Sequence, residues 1–281
     1  MDQATLYAKA NCQARRDAEQ VVKENAKIIQ WRKDGHDALI DIGSGPGTVV
    51  KDFLYPLLPT NYKELVVSDI SDKMMNYARE CFSKEDRIKF KVLDISTEVL
   101  PQELRGRFDH VTSFYCLQWV QNQRKMVENI YELLSSDGGD CLLLFLASNV
   151  LFESYEILSK RSKWSGYMQD HKKFISPYHH SLDAAAEFRK LLEQAGFEDC
   201  KVELRNQEFV YEDIYKSVCP FFERIPLELH EEFFNDYLKI LENKNIRESI
   251  EGSEDSKFRK PYKILIAYAR KPKGCEEKQV K

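Results

Sequence analysis

The 281-residue chain has no run of about 18 apolar residues, so no membrane-spanning helix is expected; its longest apolar stretch, CLLLFLA at 141–147, is the length of a strand. It has no excess of basic residues. With 42 Lys and Arg against 46 Asp and Glu, the net charge of −4 gives no reason to expect a nucleic-acid partner, which usually meets a basic face. It has no C-x-x-C pair. The seven cysteines, Cys12, Cys81, Cys116, Cys141, Cys200, Cys219 and Cys275, are odd in number and scattered. That pattern fits free thiols in a reducing compartment better than a disulfide framework or a zinc site. The N-terminal MDQATLYAKANCQARRDA lacks a signal-peptide core, and Cys275 stands too far from the end for prenylation. The expected location is the cytosol, and no metal is expected.

What the chain does have is alternation. Apolar positions at helical spacing (Ala14, Ala18, Val21, Val22, Ala26, Ile29, Trp31) predict an amphipathic helix from 12 to about 33. Five strand-like runs follow: DALIDIG (37–43), ELVVSDI (64–70), IKFKVLDI (88–95), FDHVTSFYC (108–116) and DCLLLFLAS (140–148). Helices are expected between them, at about 46–57, over DKMMNYARECF behind an N-cap at Ser71 or Asp72, and over QRKMVENIYELLSSDGG. The runs are apolar almost throughout, as strands covered on both faces should be. Strands alternating with helices predict an α/β fold: a doubly wound, Rossmann-like parallel sheet. Beyond 148 come an aromatic-rich stretch, a helix over SLDAAAEFRKLLEQAGFEDC, a strand KVELRNQEFVY, one or two amphipathic helices in 212–246, a mobile polar turn SIEGSEDSKFRKP and a last strand YKILIAYARK (262–271). The last two strands suggest an antiparallel pair at the sheet edge. We read one domain over 1–281, with its core at about 34–148, 181–211 and 258–271 and an aromatic-rich helical lid at about 149–180 and 212–257.

The first strand runs through Asp41 into Gly43-Ser44-Gly45-Pro46-Gly47-Thr48. This is G-x-G-x-G; Thr48 stands where a dinucleotide fingerprint wants Gly or Ala. Asp41 decides the reading. A pyrophosphate in the loop would be repelled by a carboxylate nearby by about 1–4 kcal/mol. S-adenosylmethionine has no phosphate, and its sulfonium and ammonium are both positive. Asp69, 24 residues past Gly45, ends the second strand and suits the two ribose hydroxyls. Asp94 ends the third and can accept from the adenine amino group, with Ile70 and Ile95 placed to sandwich the ring. Any one of these acids alone reads more readily as a turn or N-cap aspartate; three at consecutive strand ends, in register with the loop, point into one crevice.

LIDIGSGPG, VVSDIS, KVLDIS, GRFDHVTSFYCLQWV and LLSSDGGDCLLLFL resemble the successive motifs of class I S-adenosylmethionine-dependent methyltransferases, which implies a seven-stranded sheet with its last strand antiparallel. DALIDIGSGPG, RFDHVTSFYCLQWV, GGDCLLLFLAS and FISPYH resemble the insect juvenile hormone acid methyltransferase family along nearly the whole chain. The resemblance implies a carboxyl O-methyltransferase, with S-adenosylmethionine as cofactor and a hydrophobic isoprenoid acid of juvenile hormone acid or farnesoic acid type as substrate. The other readings left open are a carboxyl methyltransferase for another small or fatty acid, or a catalytically weak relative that binds a hydrophobic ligand.

A carboxylate is already ionised at pH 7, so methyl transfer to it needs no general base, only alignment and exclusion of water. The resemblance puts Ser113, Phe114 and Tyr115 beside the methionine part of the cofactor, and an N-terminal arginine, Arg15 or Arg16, on its carboxylate; the alternative for either is a solvated basic pair. Gln118 and Trp119 are neutral donors that can orient a substrate carboxylate, Trp119 reading equally as a core anchor. Two positions depart from the family: Gln118 stands where a His is more usual, and Ala14 where a Gln is, Gln13 lying one residue earlier. Gln13, Phe152, Tyr155, Trp164 and Tyr178 are the remaining expected substrate contacts, the aromatics lining a hydrocarbon tube. His179 and His180 either border the acid site or form a surface turn.

Overall fold

In the run ALIDI every residue is buried, and successive side chains leave for opposite faces: Leu39 joins one apolar cluster and Ile40 another. A strand with two apolar faces needs cover on both, and the computed structural model, which describes residues 11–82, 85–211, 221–222, 224–244, 247–249 and 256–274, supplies it. The strands are β1 (Ala38–Ile42), β2 (Glu64–Asp69), β3 (Ile88–Val92), β4 (His110–Phe114), β5 (Gly139–Asn149), β6 (Glu198–Tyr211), β7 (Arg247–Ser249) and β8 (Ser256–Lys271). Their order is β3-β2-β1-β4-β5-β8-β6, with the three-residue β7 paired to β8 off this path. The first five strands are parallel, and β8 runs antiparallel between β5 and β6. This is the expected Rossmann-like sheet: seven strands in its path, the last antiparallel, with β7 as a short addition.

One cluster, with Ile40, Val66 and Val111, packs under α3 (Gln123–Leu133) and α6 (Ala184–Gln194). The other, with Leu39, Leu65 and Val67, packs under α1 (Cys12–Asn25) and α2 (Asp72–Cys81). The caps follow local chemistry. Ser71 Oγ accepts from the Met74 N–H, and Asn122 and Asp183 do the same for Lys125 and Ala186. A third cluster is drawn only from 150–168 and 221–241. It gathers Tyr155, Leu158, Trp164, Phe221, Phe233 and Leu241 from α4 (Val150–Ser159), α5 (Ser162–Ser165), α7 (His230–Glu242) and the turn at 221–225.

Three expectations change. The first helix closes at Asn25, whose amide donates to the Val21 carbonyl, instead of running to 33; Ile29 and Trp31 are still apolar contacts, but from the irregular chain that follows. The helix expected at about 46–57 is present over 48–57 but is not a regular α-helix. Its middle, Val50–Leu54, is a wide π-helix, and it closes in a tight 3-10 turn, Tyr55–Leu57, where Pro56 has no N–H to donate. The third strand ends at Val92, so Asp94 lies just beyond it. Of the turn expected at 249–261, Ser249 and 256–261 are strand, and 250–255 lie outside the described residues, as do 1–10, 212–220, Cys219 and Cys275. Cys12, Cys81, Cys116, Cys141 and Cys200 are free thiols.

Candidate active site

The loop after β1 turns back on itself through left-handed glycines, Gly43 (φ 66°), Gly45 (φ 55°) and Gly47 (φ 76°). At Gly43 the requirement is also steric, because a Cβ there would lie 2.0 Å from Cys116 Sγ. The loop is stitched to β2: the Ser44 N–H donates to the Ser68 carbonyl (2.8 Å), and the Gly45 N–H donates to Asp69 Oδ2 (2.9 Å). The 24-residue spacing read from the sequence is thus a direct contact. The cleft over the loop is lined by Asn11, Ala14, Asp41, Gly43, Thr48 and Phe114, among others.

Asp41 is buried at the floor of this cleft and accepts from the hydroxyls of Ser44 (2.6 Å) and Thr112 (2.6 Å). Burial pushes its carboxyl up to about 7, against the pull of those two hydroxyls. Burial also raises Asp69, which accepts from the Gly45 and Ser71 N–H groups. Asp94 is exposed and accepts from the Ser96 N–H (2.8 Å) and hydroxyl (2.7 Å). All three acids converge on Cys116: its thiol is pushed up first by burial, then by Asp69, Asp41 and Asp94. The cleft is therefore anionic, and Asp41 is bonded only by uncharged hydroxyls. A cation fits there; a phosphate does not. S-adenosylmethionine, with two positive groups and no phosphate, passes this test, and Asp41, Asp69, Asp94 and the glycine loop are the residues that would hold it.

The other expected contacts divide. Phe114 lines the cleft and Ile70 is exposed beside Asp69. Ile95, however, is buried in the sheet core with Leu93 and Leu100, and its carbonyl accepts from Asn129; it does not face the crevice. Ser113 is tied by its hydroxyl to the Ile42 carbonyl (2.8 Å), so it joins β4 to β1 instead of facing a ligand. Gln118 is also turned inward: its amide donates to the Tyr115 carbonyl (2.8 Å) and accepts from the Leu146 N–H (3.4 Å). That corrects its role from orienting a substrate to fixing the bend after β4. Trp119 stands out from the same bend, 39% exposed, its ring edge-on to Phe152 at 6.1 Å. Tyr155 and Trp164 belong to the third cluster, with the Trp164 indole donating to Asp236 (2.9 Å). Tyr178 lies in the sheet core against Phe145 and Phe188 and donates to Gln123. Neither Trp164 nor Tyr178 lines the cleft.

Arg15 pairs with Asp52 (2.7 Å), and Arg16 with Asp17 (2.9 Å), so both guanidiniums have protein partners. Asp17 is a residue that the sequence reading missed. It is almost fully buried and accepts from the hydroxyls of Tyr115 and Tyr262 as well as from Arg16, while Gln13 donates to the Tyr115 hydroxyl (3.2 Å). This network docks α1 on the end of β4, and Tyr115 holds a left-handed backbone there (φ 59°). The signal was present: Asp17 falls three residues after Ala14 and four before Val21, on the apolar face of the helix.

The ionisation of Asp41 gives a testable pH dependence. A carboxyl raised from 3.8 to about 7 keeps its proton in the free protein below that pH, and a bound cation favours the deprotonated form. Affinity for S-adenosylmethionine should therefore rise as pH goes from 6 to 8, by up to about tenfold per unit below the pKa, with proton release visible as a buffer-dependent heat in calorimetry. In the free protein the same shift makes stability fall as pH rises between about 4 and 7. A flat affinity profile over pH 6–8 would refute the assignment of Asp41.

Comparisons with known proteins show the family and the fold. Residues 40–139 match the methyltransferase domain family. Over 277 residues the chain is 52% identical to the juvenile hormone acid O-methyltransferase of Drosophila melanogaster, covering 96% of this chain and 93% of that protein. It is 39% identical over 285 residues to the protein of the same name from Bombyx mori, covering 96% and 98%. Among solved structures, the BH2331 protein of Bacillus halodurans aligns with a TM-score of 0.57 at 18% identity, covering 89% of this chain and 98% of that one. The YcgJ protein of Bacillus subtilis aligns with a TM-score of 0.59 at 15% identity, covering 90% and 98%. At such low identity the two structures speak for the fold alone.

Proposed function

Because the chain belongs to the juvenile hormone acid O-methyltransferase family of S-adenosylmethionine-dependent enzymes, we propose that it esterifies the carboxylate of juvenile hormone acid or of a close isoprenoid relative such as farnesoic acid. The observation that carries this reading is the extent of the 52% identity. It covers 96% of the chain, so it runs through both aromatic-rich segments as well as through the cofactor-binding half.

The bound cofactor supplies a methyl group activated by its positive sulfur. The protein's own part is placement. Asp41 and Asp69 hold positive and hydroxyl groups over the glycine loop, and Phe114 and Tyr115 close the cleft beside them. To the partly exposed Trp119 we assign the substrate carboxylate: its indole N–H is a neutral donor that orients the acid without quenching it as a nucleophile. Phe152, packed on Trp119, starts an apolar wall that the third cluster backs, and we assign α4, α5 and α7 to a lid over the hydrocarbon tail. No described helix is long and apolar enough to cross a membrane, and the free thiols support a cytosolic site of action.

The test is labelled methyl transfer to a series of acids of increasing hydrocarbon length. Each buried methylene-sized group contributes about 0.8 kcal/mol, close to a fourfold change in an equilibrium constant, so kcat/KM should climb steeply toward farnesoate. Equal activity on aconitate and farnesoate would overturn the substrate assignment.

A further inference from the structure

We propose that Glu156, His179 and His180 form a zinc(II) site that fastens helix α4 to the turn at 176–181, apart from the cofactor cleft. One ring nitrogen from each histidine and one carboxylate oxygen of Glu156 all lie within 4.8 Å of one another. Three such atoms can share a centre about 2.8 Å from each, and zinc needs about 2.0–2.2 Å, so a shift of well under 1 Å per ligand closes the site. The cysteine spacing gave no hint of this. The cluster arises only when the strand–helix junction folds against the later turn.

His179 is held from several sides, while His180 is exposed. His179 is half-buried: its Nδ1 is 3.0 Å from Ser148 Oγ and its ring is edge-on to Phe152 at 5.5 Å. That contact holds the orientation of the ring, as the outer partner of a metal-binding histidine does. Phe152 and Glu156 are four residues apart on α4 and share one face, which is why a helix carrying the ring to His179 carries the carboxylate there too. The backbone of the turn is set by the His179 N–H to Ser176 and the Ser181 N–H to Tyr178, and Tyr178 is anchored in the sheet core. His180, bonded to Glu156 at 2.7 Å, has 70% of its side chain exposed and can adjust at small cost. Its exposure also leaves the fourth position open to water. Two imidazoles and one carboxylate suit zinc; magnesium and calcium prefer all-oxygen shells.

The experiment is calorimetric titration of the full chain with zinc chloride, with magnesium and calcium chloride as comparisons. Melting is followed by circular dichroism. We expect one zinc per chain, a raised melting temperature with zinc present, and no binding of the other two ions here. His180→Ala and Glu156→Gln each alter a rim side chain; they should melt as the parent does without zinc, yet bind it at least about tenfold more weakly. A Cys12→Ser variant should bind zinc as the parent does. Zinc binding that survives both rim substitutions, or that vanishes with Cys12, would overturn the site, as would no binding at all. A tetrahedral cobalt(II) spectrum lost in His180→Ala would support it independently.

Discussion

An Asp69→Ala variant should bind S-adenosylmethionine at least about a hundredfold more weakly than the parent chain, while keeping its fold. The carboxylate sits at the end of β2 with Oδ2 on the Gly45 N–H and Oδ1 on the Ser71 N–H. Each oxygen has a second lone pair, and the side chain is only partly covered, so both can accept from a ribose diol while the loop contact persists. Hydrogen bonds to a charged acceptor contribute about 1.5–3 kcal/mol each, so losing two removes roughly 3–6 kcal/mol, and every 1.4 kcal/mol is a factor of ten. Asp69→Asn separates the two roles. Its amide oxygen can still accept from Gly45, so the loop stays in place, but one ribose acceptor becomes a donor, and affinity should fall between parent and alanine. Calorimetric titration reads both variants. Unchanged affinity in Asp69→Ala would remove this acid from the cofactor site.

The acids were legible in the sequence because strand ends and loop lengths alone fix their positions. A strand that ends in Asp69 beside one that runs through Asp41 near its end must place both at the same sheet edge, and the parallel pairing of Asp41 with Val67 realises this. Side-chain direction was not legible in the same way. Ser113, Gln118 and Ile95 lie within a residue or two of cleft-facing positions, but a hydroxyl, an amide or a methyl group turns toward whichever partner folding brings near. For these three the partners were the Ile42 carbonyl, the Tyr115 carbonyl and the sheet core. Trp164 and Tyr178 read as tube-lining because aromatic content does not say which of three apolar clusters a ring will join. Asp17 is the converse case. An acid on the apolar face of a helix announces a buried partner, and only the folded chain supplies Tyr115, Tyr262 and Arg16.

At the opposite end of the sheet, His110→Ala should lower the folding free energy by about 3–5 kcal/mol, a large share of the roughly 5–15 kcal/mol typical of a whole domain. His110 opens β4 with its ring buried between two buried carboxylates, Nδ1 to Asp140 (2.6 Å) and Nε2 to Asp37 (2.9 Å). Burial alone would lower its pKa, but the bonds to Asp140 and Asp37 outweigh it and push it up to about 9. Around this ion triad the chain between α1 and β1 is pinned. The Arg32 N–H donates to Asp37, the Gln30 N–H to Asp140, and the Trp31 ring lies edge-on to the imidazole at 4.6 Å. Alanine leaves two acids without their counter-ion, one of them with an oxygen, Asp37 Oδ2, that already has no partner. The pH dependence follows from the sign of the shift. A histidine raised above its unfolded value of about 6.5 gives its full contribution below that pH and loses it as pH rises through about 9. Urea melts of parent and variant should therefore differ most near pH 6 and converge toward pH 10. A difference that stays constant over that range would mean the ring is held as a neutral group and contributes by packing alone. Replacing Asp37 and Asp140 by asparagine in the His110→Ala background should restore part of the loss, because the penalty lies in the unpaired charges and not in the missing ring.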